Sequence, residues 1–231
     1  VILGSRSSSD FADVPAGIGG GWDGFRGTPQ LVRMFDYQDN ANPKANEILD
    51  KRGIFYDKNR SIDITTSVTG TFTTEGWSVY KYTNIRSDGQ PGSNTTFPDT
   101  DFPMFRLADI YLMYAEAVAR GGQGGSLATA VEYVNALRKR AYGNTSHEVN
   151  EAWLTENNYR NLLDERCREL YWEGTRRTDL IRYGLFTSAD YLWTFKGGVL
   201  GGTGVSNRYN VFPIPTTDLS VNGNLKQNEG Y

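Results

Sequence analysis

The stretch 104–183 constrains the fold of this chain most, because its apolar residues recur at the spacing of α-helices and only short breaks interrupt them. The first helix carries an apolar face made of Met104, Leu107, Ala108, Tyr111, Ala115 and Val118. A second face of the same helix holds Phe105, Ile110, Leu112 and Met113. We therefore expect this helix to be buried on two sides.

Two further helices follow in the same stretch. Ser126 is a suitable N-cap for a helix that ends at Gly143, and only residues 121–125 separate this helix from the first. The short connection predicts that the two helices pack as an antiparallel hairpin. A third helical pattern runs from about 158 to 183, and we expect a kink at Gly174.

Long irregular segments flank the helices. Residues 1–103 are rich in glycine and loops, with short helices predicted at 29–37 and 43–51 and short strands at 61–69 and 77–83. Residues 184–231 return to glycine clusters and prolines. The sequence thus predicts a mainly α fold of helical hairpins, with extensive irregular loops and a few short strands. Its regions are 1–103, a candidate ligand-binding surface, 104–183, the helical scaffold, and 184–231, an irregular tail packed on that scaffold.

Composition excludes several classes of function. The 231 residues have a net charge of −3, so no basic field favours nucleic acid. Cys167 and His147 are the only cysteine and histidine, too few for an internal disulfide or a zinc site of the usual ligands. The glycines at 19, 21 and 24 match a dinucleotide-binding pattern but lack the strand and helix that it needs. We therefore predict no metal and no cofactor.

Acidic residues lie on one stripe of the third helix. Glu165, Glu169 and Glu173 follow one another at four-residue spacing among basic residues. A glycoside hydrolase needs two carboxylates that face each other across a sugar, which one helical stripe does not supply. We expect a structural ion-pair network instead, and no enzyme. Its predicted members are Glu165, Arg166, Glu169, Glu173, Arg177, Asp179 and Arg182.

Aromatic residues in polar glycine loops are the stronger functional signal. Trp22 lies in the segment GGGWDGFRG, beside Asp23, Phe25 and Arg26. A flat indole could stack on a sugar ring while the polar neighbours bond its hydroxyl groups. Trp77 is a further candidate from the same half of the chain. The alternative is that these aromatic rings fill a small core beneath the loops.

Four ordered motifs resemble the C-terminal part of the SusD/RagB family, the surface lipoproteins of Bacteroidetes nutrient-uptake systems. They are RLADIYLMYAEA at 106–117, NALRKRA at 135–141, ERCRELYWEG at 165–174 followed by RTDLIR at 177–182, and FPIP at 212–215 followed by QNEGY at 227–231. Glu229 stands where the family usually has proline. Residues 1–103 match only loosely.

The resemblance implies a scaffold of helical hairpins of the tetratricopeptide (TPR) type and no catalytic activity. It implies that the protein captures glycans or peptides at the cell outer membrane and delivers them to a SusC-like TonB-dependent transporter. Membrane association would depend on an N-terminal lipid anchor that this chain lacks, so the chain looks like the C-terminal half of a longer protein. The leading hypothesis is oligosaccharide capture for polysaccharide utilization. The alternatives are peptide capture and a structural or protein-interaction scaffold without a ligand site of its own.

Overall fold

A computed structural model describes residues 26–37, 44–65, 74–79, 81–82, 86–93, 99, 101 and 103–231. Most of the regular structure is helical, with one small two-stranded sheet, so the prediction of a mainly α fold is confirmed. The described residues form two compact units, and the division falls between Arg176 and Arg177. The predicted boundary between scaffold and tail was placed after residue 183. No helix in the described part of the chain is long and apolar enough to cross a bilayer.

A helical hairpin forms the centre of the first unit. Helix α2 spans Leu107–Ala119 and helix α3 spans Leu127–Tyr142. The Ser126 hydroxyl accepts a hydrogen bond from the Thr129 backbone N–H, and Gly143 ends α3 with a φ of 75°. Both predicted ends of α3 are therefore confirmed. The hairpin core consists of Ala108, Leu112, Ala115, Ala130, Val134, Leu137, Leu154 and Leu162.

The third helical pattern is divided rather than continuous. The short helix α4, Glu151–Thr155, lies before the predicted stretch, within which α5 spans Arg160–Leu170 and α6 spans Arg176–Arg182. Between α5 and α6 the backbone leaves the helical region, with φ at 65° for Trp172 and 79° for Gly174. The prediction of one kinked helix was thus wrong. Positive φ at two positions ends one helix and starts another, which periodicity alone does not show.

One face of α2 is uncovered. Ala108, Leu112 and Ala115 are buried, as their spacing predicts. Leu112 belongs to the second predicted face, but the other three residues of that face are exposed, and the Phe105 ring just before the helix has 87% of its surface open to solvent. The expectation that this helix is buried on two sides was therefore wrong. The exposed apolar residues at this face are Met104, Phe105, Leu107, Ile110 and Met113.

Short elements and an aromatic core organise the described part of 26–93. Helix α1 spans only Pro29–Val32, and Ala45–Glu47 forms a single 3₁₀ turn, so both predicted helices are shorter than expected. Strand β1, Phe55–Tyr56, pairs antiparallel with strand β2, Ser78–Val79. The predicted strand at 61–69 is reduced, in its described residues, to one bridge between Ser61 and Glu75. Their shared core contains Val32, Phe35, Tyr37, Phe55, Trp77, Val79 and Tyr171.

Close packing in this core depends on a glycine. The rings of Phe35 and Phe55 meet edge to face at 5.4 Å, and Phe35 meets Tyr171 at 5.5 Å. A Cβ atom at Gly53 would lie 2.8 Å from Cγ of the buried Phe35 ring. Only glycine therefore lets the backbone approach the ring this closely.

The second unit combines short helices with a pinned tail. Helix α7, Thr216–Val221, begins directly after Pro215 in a segment that was predicted to be irregular. Proline opposes a helix interior but is compatible with its start. Gln227 clamps the tail to the preceding segment: its Oε1 accepts from the Ile214 N–H at 2.8 Å, and its Nε2 donates to the Ile214 carbonyl at 2.9 Å.

Candidate functional site

Of the four residues predicted in the aromatic loop, only Arg26 is among the described residues. Trp22, Asp23 and Phe25 lie outside the described residues. Arg26 and Trp77 are brought close together, because the Gly27 N–H donates to the Trp77 carbonyl at 2.7 Å and Arg26 bridges to Ser78. The Arg26 guanidinium donates to the Glu75 carbonyl at 2.9 Å.

Trp77 is a core residue. Only 2% of its surface is exposed, and its indole packs against Tyr37 at 6.2 Å and Phe55 at 6.3 Å between ring centroids. A buried indole has no free face for a sugar ring. The hypothesis that Trp77 binds glycan is therefore wrong, because burial in the aromatic core determines its role.

The glutamates of α5 are tied to basic residues. Glu165 is fully buried, and its carboxylate contacts Arg52, Arg138 and Arg168, each at 2.7 Å. Arg52 also forms a bidentate pair with the buried Asp50, at 2.9 and 2.7 Å. The Arg52 guanidinium therefore connects an N-terminal loop to α5.

Arginines are shared along the same stripe of carboxylates. Arg106 contacts Glu169 at 3.0 Å and Glu173 at 2.8 Å. Glu169 also contacts Arg52 at 3.2 Å, so the Glu165 and Glu169 ion pairs share an arginine. The Lys81 ammonium donates to Glu173 and to the Glu169 carbonyl. The three glutamates thus form one network, which joins α5 to the residue before α2 and to two loops.

The other predicted members of the network are divided between two places. Arg166 contacts Asp109 of α2 at 2.7 Å and supplies a separate link between α5 and α2. In the second unit, Asp179 contacts Arg182 at 2.9 Å. Among the described residues, Arg177 forms no ion pair that joins it to the predicted set. Its guanidinium lies over aromatic rings instead.

The ion pairs of Glu165 and Glu169 determine the protonation state of their carboxyl groups. Burial alone would raise the pKa of the Glu165 carboxyl, but the guanidinium groups of Arg168, Arg52 and Arg138 hold that pKa far below its ordinary range. Burial likewise opposes a lowered pKa at Glu169, yet its arginine partners keep that pKa below the usual value. Carboxylates held ionised in this way are unsuited to the role of a general acid near neutral pH.

Sequence reasoning missed most of the basic partners. Arg52 and Lys81 come from loops far away in sequence, and no local pattern marks them. Arg106, Arg138 and Arg140 belong to the first two motifs, so the motifs themselves held the available signal. Arg140 contacts Glu169 at 2.5 Å.

An aromatic pocket in the second unit was not predicted. It has a volume of about 450 Å³ and lies wholly within residues 177–231. Its walls include Arg177, Phe186, Trp193, Tyr209, Phe212 and Tyr231. The Arg177 guanidinium lies 4.1 Å from the Phe212 ring centroid and 5.0 Å from that of Phe186. Several rings and a cation therefore converge on one concave surface, which is typical of a small-ligand site.

Metal ligands are not assembled in the part of the chain that the structure describes. No group of three or more His, Cys, Asp or Glu side chains there could hold an ion.

Together, the hairpin, the ion-paired helices and the hydrogen-bonded tail define a helical scaffold protein with an aromatic pocket.

Comparison with known proteins shows the family to which this chain belongs. The family model of SusD matches residues 61–231. The starch-binding protein SusD of Bacteroides thetaiotaomicron is 50% identical over 158 residues, which are 68% of this chain and 26% of that protein. The chain therefore belongs to the SusD family.

Solved structures agree with the assignment. Surface glycan-binding protein A from Bacteroides thetaiotaomicron is 28% identical, with a TM-score of 0.50 over 68% of this chain and 31% of that one. The protein of the same name from Bacteroides uniformis has a TM-score of 0.60 over 99% of this chain and 46% of that one; at 20% identity it supports the fold alone. The chain spans about a quarter of the length of the curated relatives it matches.

Proposed function

We propose that the chain belongs to a non-catalytic protein that captures oligosaccharides at the cell surface and delivers them to a TonB-dependent outer-membrane transporter. The observation that carries the proposal is the 50% identity to a protein named for starch binding. The structurally similar protein from Bacteroides thetaiotaomicron is also named for glycan binding. Because this chain covers only part of these relatives, the function of the whole protein remains a proposal.

The glycine-rich loop around Trp22 is the proposed platform. Trp22 would stack on the apolar face of a sugar, with Phe25 beside it and with Asp23 and Arg26 as partners for hydroxyl groups. A flat ring with two side-chain torsions loses little conformational entropy on binding. Arg26 uses one N–H in its bond to the Glu75 carbonyl, and a guanidinium has five such donors.

Tryptophan fluorescence tests this platform. The wild-type chain is titrated with a panel of neutral oligosaccharides, together with Trp22→Ala, Trp22→Tyr and, as a matched control, Phe105→Ala at an exposed ring of the helical scaffold. We expect saturable binding of one glycan class that Trp22→Ala weakens at least tenfold, while Trp22→Tyr and Phe105→Ala retain it. Equal binding by Trp22→Ala and wild type would contradict the placement at this loop.

A scaffold without a ligand site of its own is the second candidate. The burial of Trp77 and the commitment of Glu165, Glu169 and Glu173 to ion pairs favour it, since these residues stabilise the fold rather than face a ligand. A folded chain that binds no oligosaccharide in the same titration would support this candidate. Binding of peptides in place of sugars would support peptide capture.

Surface location and transporter contact are parts of the same proposal. Membership of the SusD family supports an outer-membrane setting, with a lipid anchor on the complete protein. Affinity purification of the complete protein from detergent-solubilised outer membranes tests this directly. We expect a TonB-dependent transporter to co-purify, and recovery of the protein from the soluble fraction alone would contradict the location.

A further inference from the structure

We propose that the aromatic pocket of residues 177–231 binds a sugar ring that carries an anionic substituent. The inference rests on the proposed capture of glycans and adds a class of ligand and a second place of contact. It starts from the walls of the pocket. Phe186 and Trp193 are stacked with 6.2 Å between centroids and 28° between planes, and Phe212 is 70% exposed. Flat apolar rings of this kind suit the C–H face of a pyranose.

Arg177 supplies a positive group with hydrogen-bonding capacity to spare. It lines the pocket, and one of its N–H groups donates to the Tyr209 carbonyl at 2.7 Å. Its remaining contacts among the described residues are with the Phe186 and Phe212 rings, which accept no in-plane hydrogen bond. A guanidinium has five N–H donors in a planar fork that matches a carboxylate or a sulfate. Most of the N–H donors of Arg177 are therefore available to a ligand.

Lys196 adds a second positive charge that no carboxylate of the pocket balances. Its side chain is buried, and its ammonium donates to the carbonyls of Leu185, Ser188 and Tyr191. Three neutral carbonyls satisfy the three donors but do not cancel the charge. Among the described residues that line the pocket, none is Asp or Glu. The lining therefore favours a ligand with negative charge.

Hydrogen bonds hold the walls of the pocket in place. The Tyr231 hydroxyl lies 3.0 Å from the Val211 carbonyl oxygen, and Asn228 donates to the Phe212 carbonyl at 2.7 Å. The Gln227 clamp on Ile214 fixes the same segment. A wall fixed before binding reduces the entropy that a ligand must overcome. These bonds join the segment at 212–215 to the segment at 227–231.

An anionic sugar fits these observations better than a neutral sugar or an acidic peptide. A neutral sugar would use the rings but leave the charge of Arg177 and Lys196 unbalanced. An acidic peptide would pair with the charge, but extended peptides gain much of their affinity by adding to the edge of a sheet. In the described part of 177–231 no strand is present to offer such an edge.

Calorimetry with matched ligands tests the inference. The wild-type chain is titrated with oligosaccharides of equal length that are neutral, contain uronic acid or carry sulfate, and with an acidic peptide. We expect at least one anionic sugar to bind tenfold or more tightly than the neutral one, and this preference to shrink at 0.5 M salt because salt screens exposed charges. Comparison of the uronic acid and sulfated sugars shows whether the pocket prefers a carboxylate or a sulfate group. Equal affinity for neutral and anionic sugars, or preference for the peptide, would overturn the proposal.

Variants locate the preference. Arg177→Gln should remove the preference for the anionic sugar, and Arg177→Lys should keep part of it. Phe212→Ala changes a ring that is mostly exposed, so it should weaken binding of the anionic ligand without unfolding the chain. Lys226→Gln, an exposed charge of the same unit outside the pocket, is the matched control and should change nothing. Circular dichroism checks folding in each case. If Phe212→Ala and Arg177→Gln keep the full preference, the pocket is not its source.

The outcomes separate this inference from the proposed function. If neutral sugars bind through Trp22 and anionic sugars bind no better, glycan capture stands and the inference is wrong. If an anionic sugar binds and the Trp22 variants do not affect it, the pocket alone carries recognition. If no sugar binds to the folded chain, both proposals are wrong.

Discussion

The stability of the first unit depends strongly on the buried carboxylate of Glu165. Removing a carboxylate from water is costly, and the cost is offset here by three guanidinium groups at 2.7 Å. Asp50 pairs with Arg52 and so balances part of the surplus positive charge. A buried network of this kind gives little net stability over an apolar core of the same shape, but loss of one member leaves others unpaired.

Neutralising Glu165 should therefore destabilise the chain strongly. Glu165→Gln keeps the size of the side chain but leaves Arg52, Arg138 and Arg168 without a shared anion. We expect the free energy of unfolding in urea to fall by about 3–5 kcal/mol. Glu132→Gln, at an exposed position of α3, is the control and should change stability by about 0.5 kcal/mol or less. A loss at Glu165 as small as that of the control would contradict the structural role of the network.

Acid should destabilise the fold through the same carboxylates. The pKa of Glu165 and that of Glu169 are lower in the folded chain than in the unfolded chain, where the ordinary value is about 4.3. Below that value the unfolded chain takes up protons that the folded chain does not, so stability falls as pH falls. Above it, the contribution of both groups is complete.

Urea unfolding from pH 7 to pH 3 measures this effect. We expect an almost constant contribution from the two glutamates down to about pH 5 and a progressive loss below it. Glu165→Gln should show a shallower decline, because it lacks one of the shifted groups. An identical decline in the variant and the wild type would contradict the lowered pKa.

At this scale, part of the site could be predicted. The four-residue spacing of Glu165, Glu169 and Glu173 predicted one stripe of ion-paired carboxylates. Their partners could not be identified, since Arg52 lies 113 positions from Glu165 and no local rule connects them. Trp77 was assigned to ligand binding because an aromatic residue in a polar segment has the same pattern whether it faces solvent or a core.

At the scale of the helices and strands, α3 shows that the residues at a helix end determine where that helix begins and ends. Both of its ends were predicted because a serine cap and a glycine in left-handed conformation act within a few residues. The end of α5 was missed because Trp172, a residue that rarely adopts positive φ, takes φ of 65° there. Strand β1 was missed, and strand β2 covers only two residues of the strand predicted at 77–83. Each strand has only two residues, and tertiary packing determines where such short pairs form.

The N-cap of α3 should contribute measurably to stability. Ser126→Ala removes the acceptor of the Thr129 N–H, which lies 3.1 Å from the Ser126 hydroxyl. We expect a loss of about 1 kcal/mol in urea unfolding. Ser126→Asn restores a side-chain acceptor and should recover most of that loss. If alanine and asparagine destabilise the chain equally, the cap does not act through this hydrogen bond.

For the whole molecule, the motifs were more informative than any single element. The motif at 106–117 supplies Arg106 and three residues of the hairpin core, and the motif at 165–174 supplies the glutamates. The two parts of the fourth motif are joined through Gln227. The order of the motifs therefore predicted the family correctly. They do not predict a ligand, since their described side chains are mostly used in packing and ion pairs. The aromatic pocket was missed because its rings come from separate loops of the tail.

Glycan capture without catalysis is the central claim for the whole molecule, and calorimetry of the folded wild-type chain tests it most directly. Neutral and anionic oligosaccharides of increasing length are titrated at constant salt, and the sugars are recovered and analysed by chromatography after prolonged incubation. Capture predicts saturable heat with one glycan class, affinity that rises with length until the site is filled, and recovery of the ligand intact. Absence of heat with every glycan from a chain shown to be folded, or recovery of shortened sugars, would contradict it.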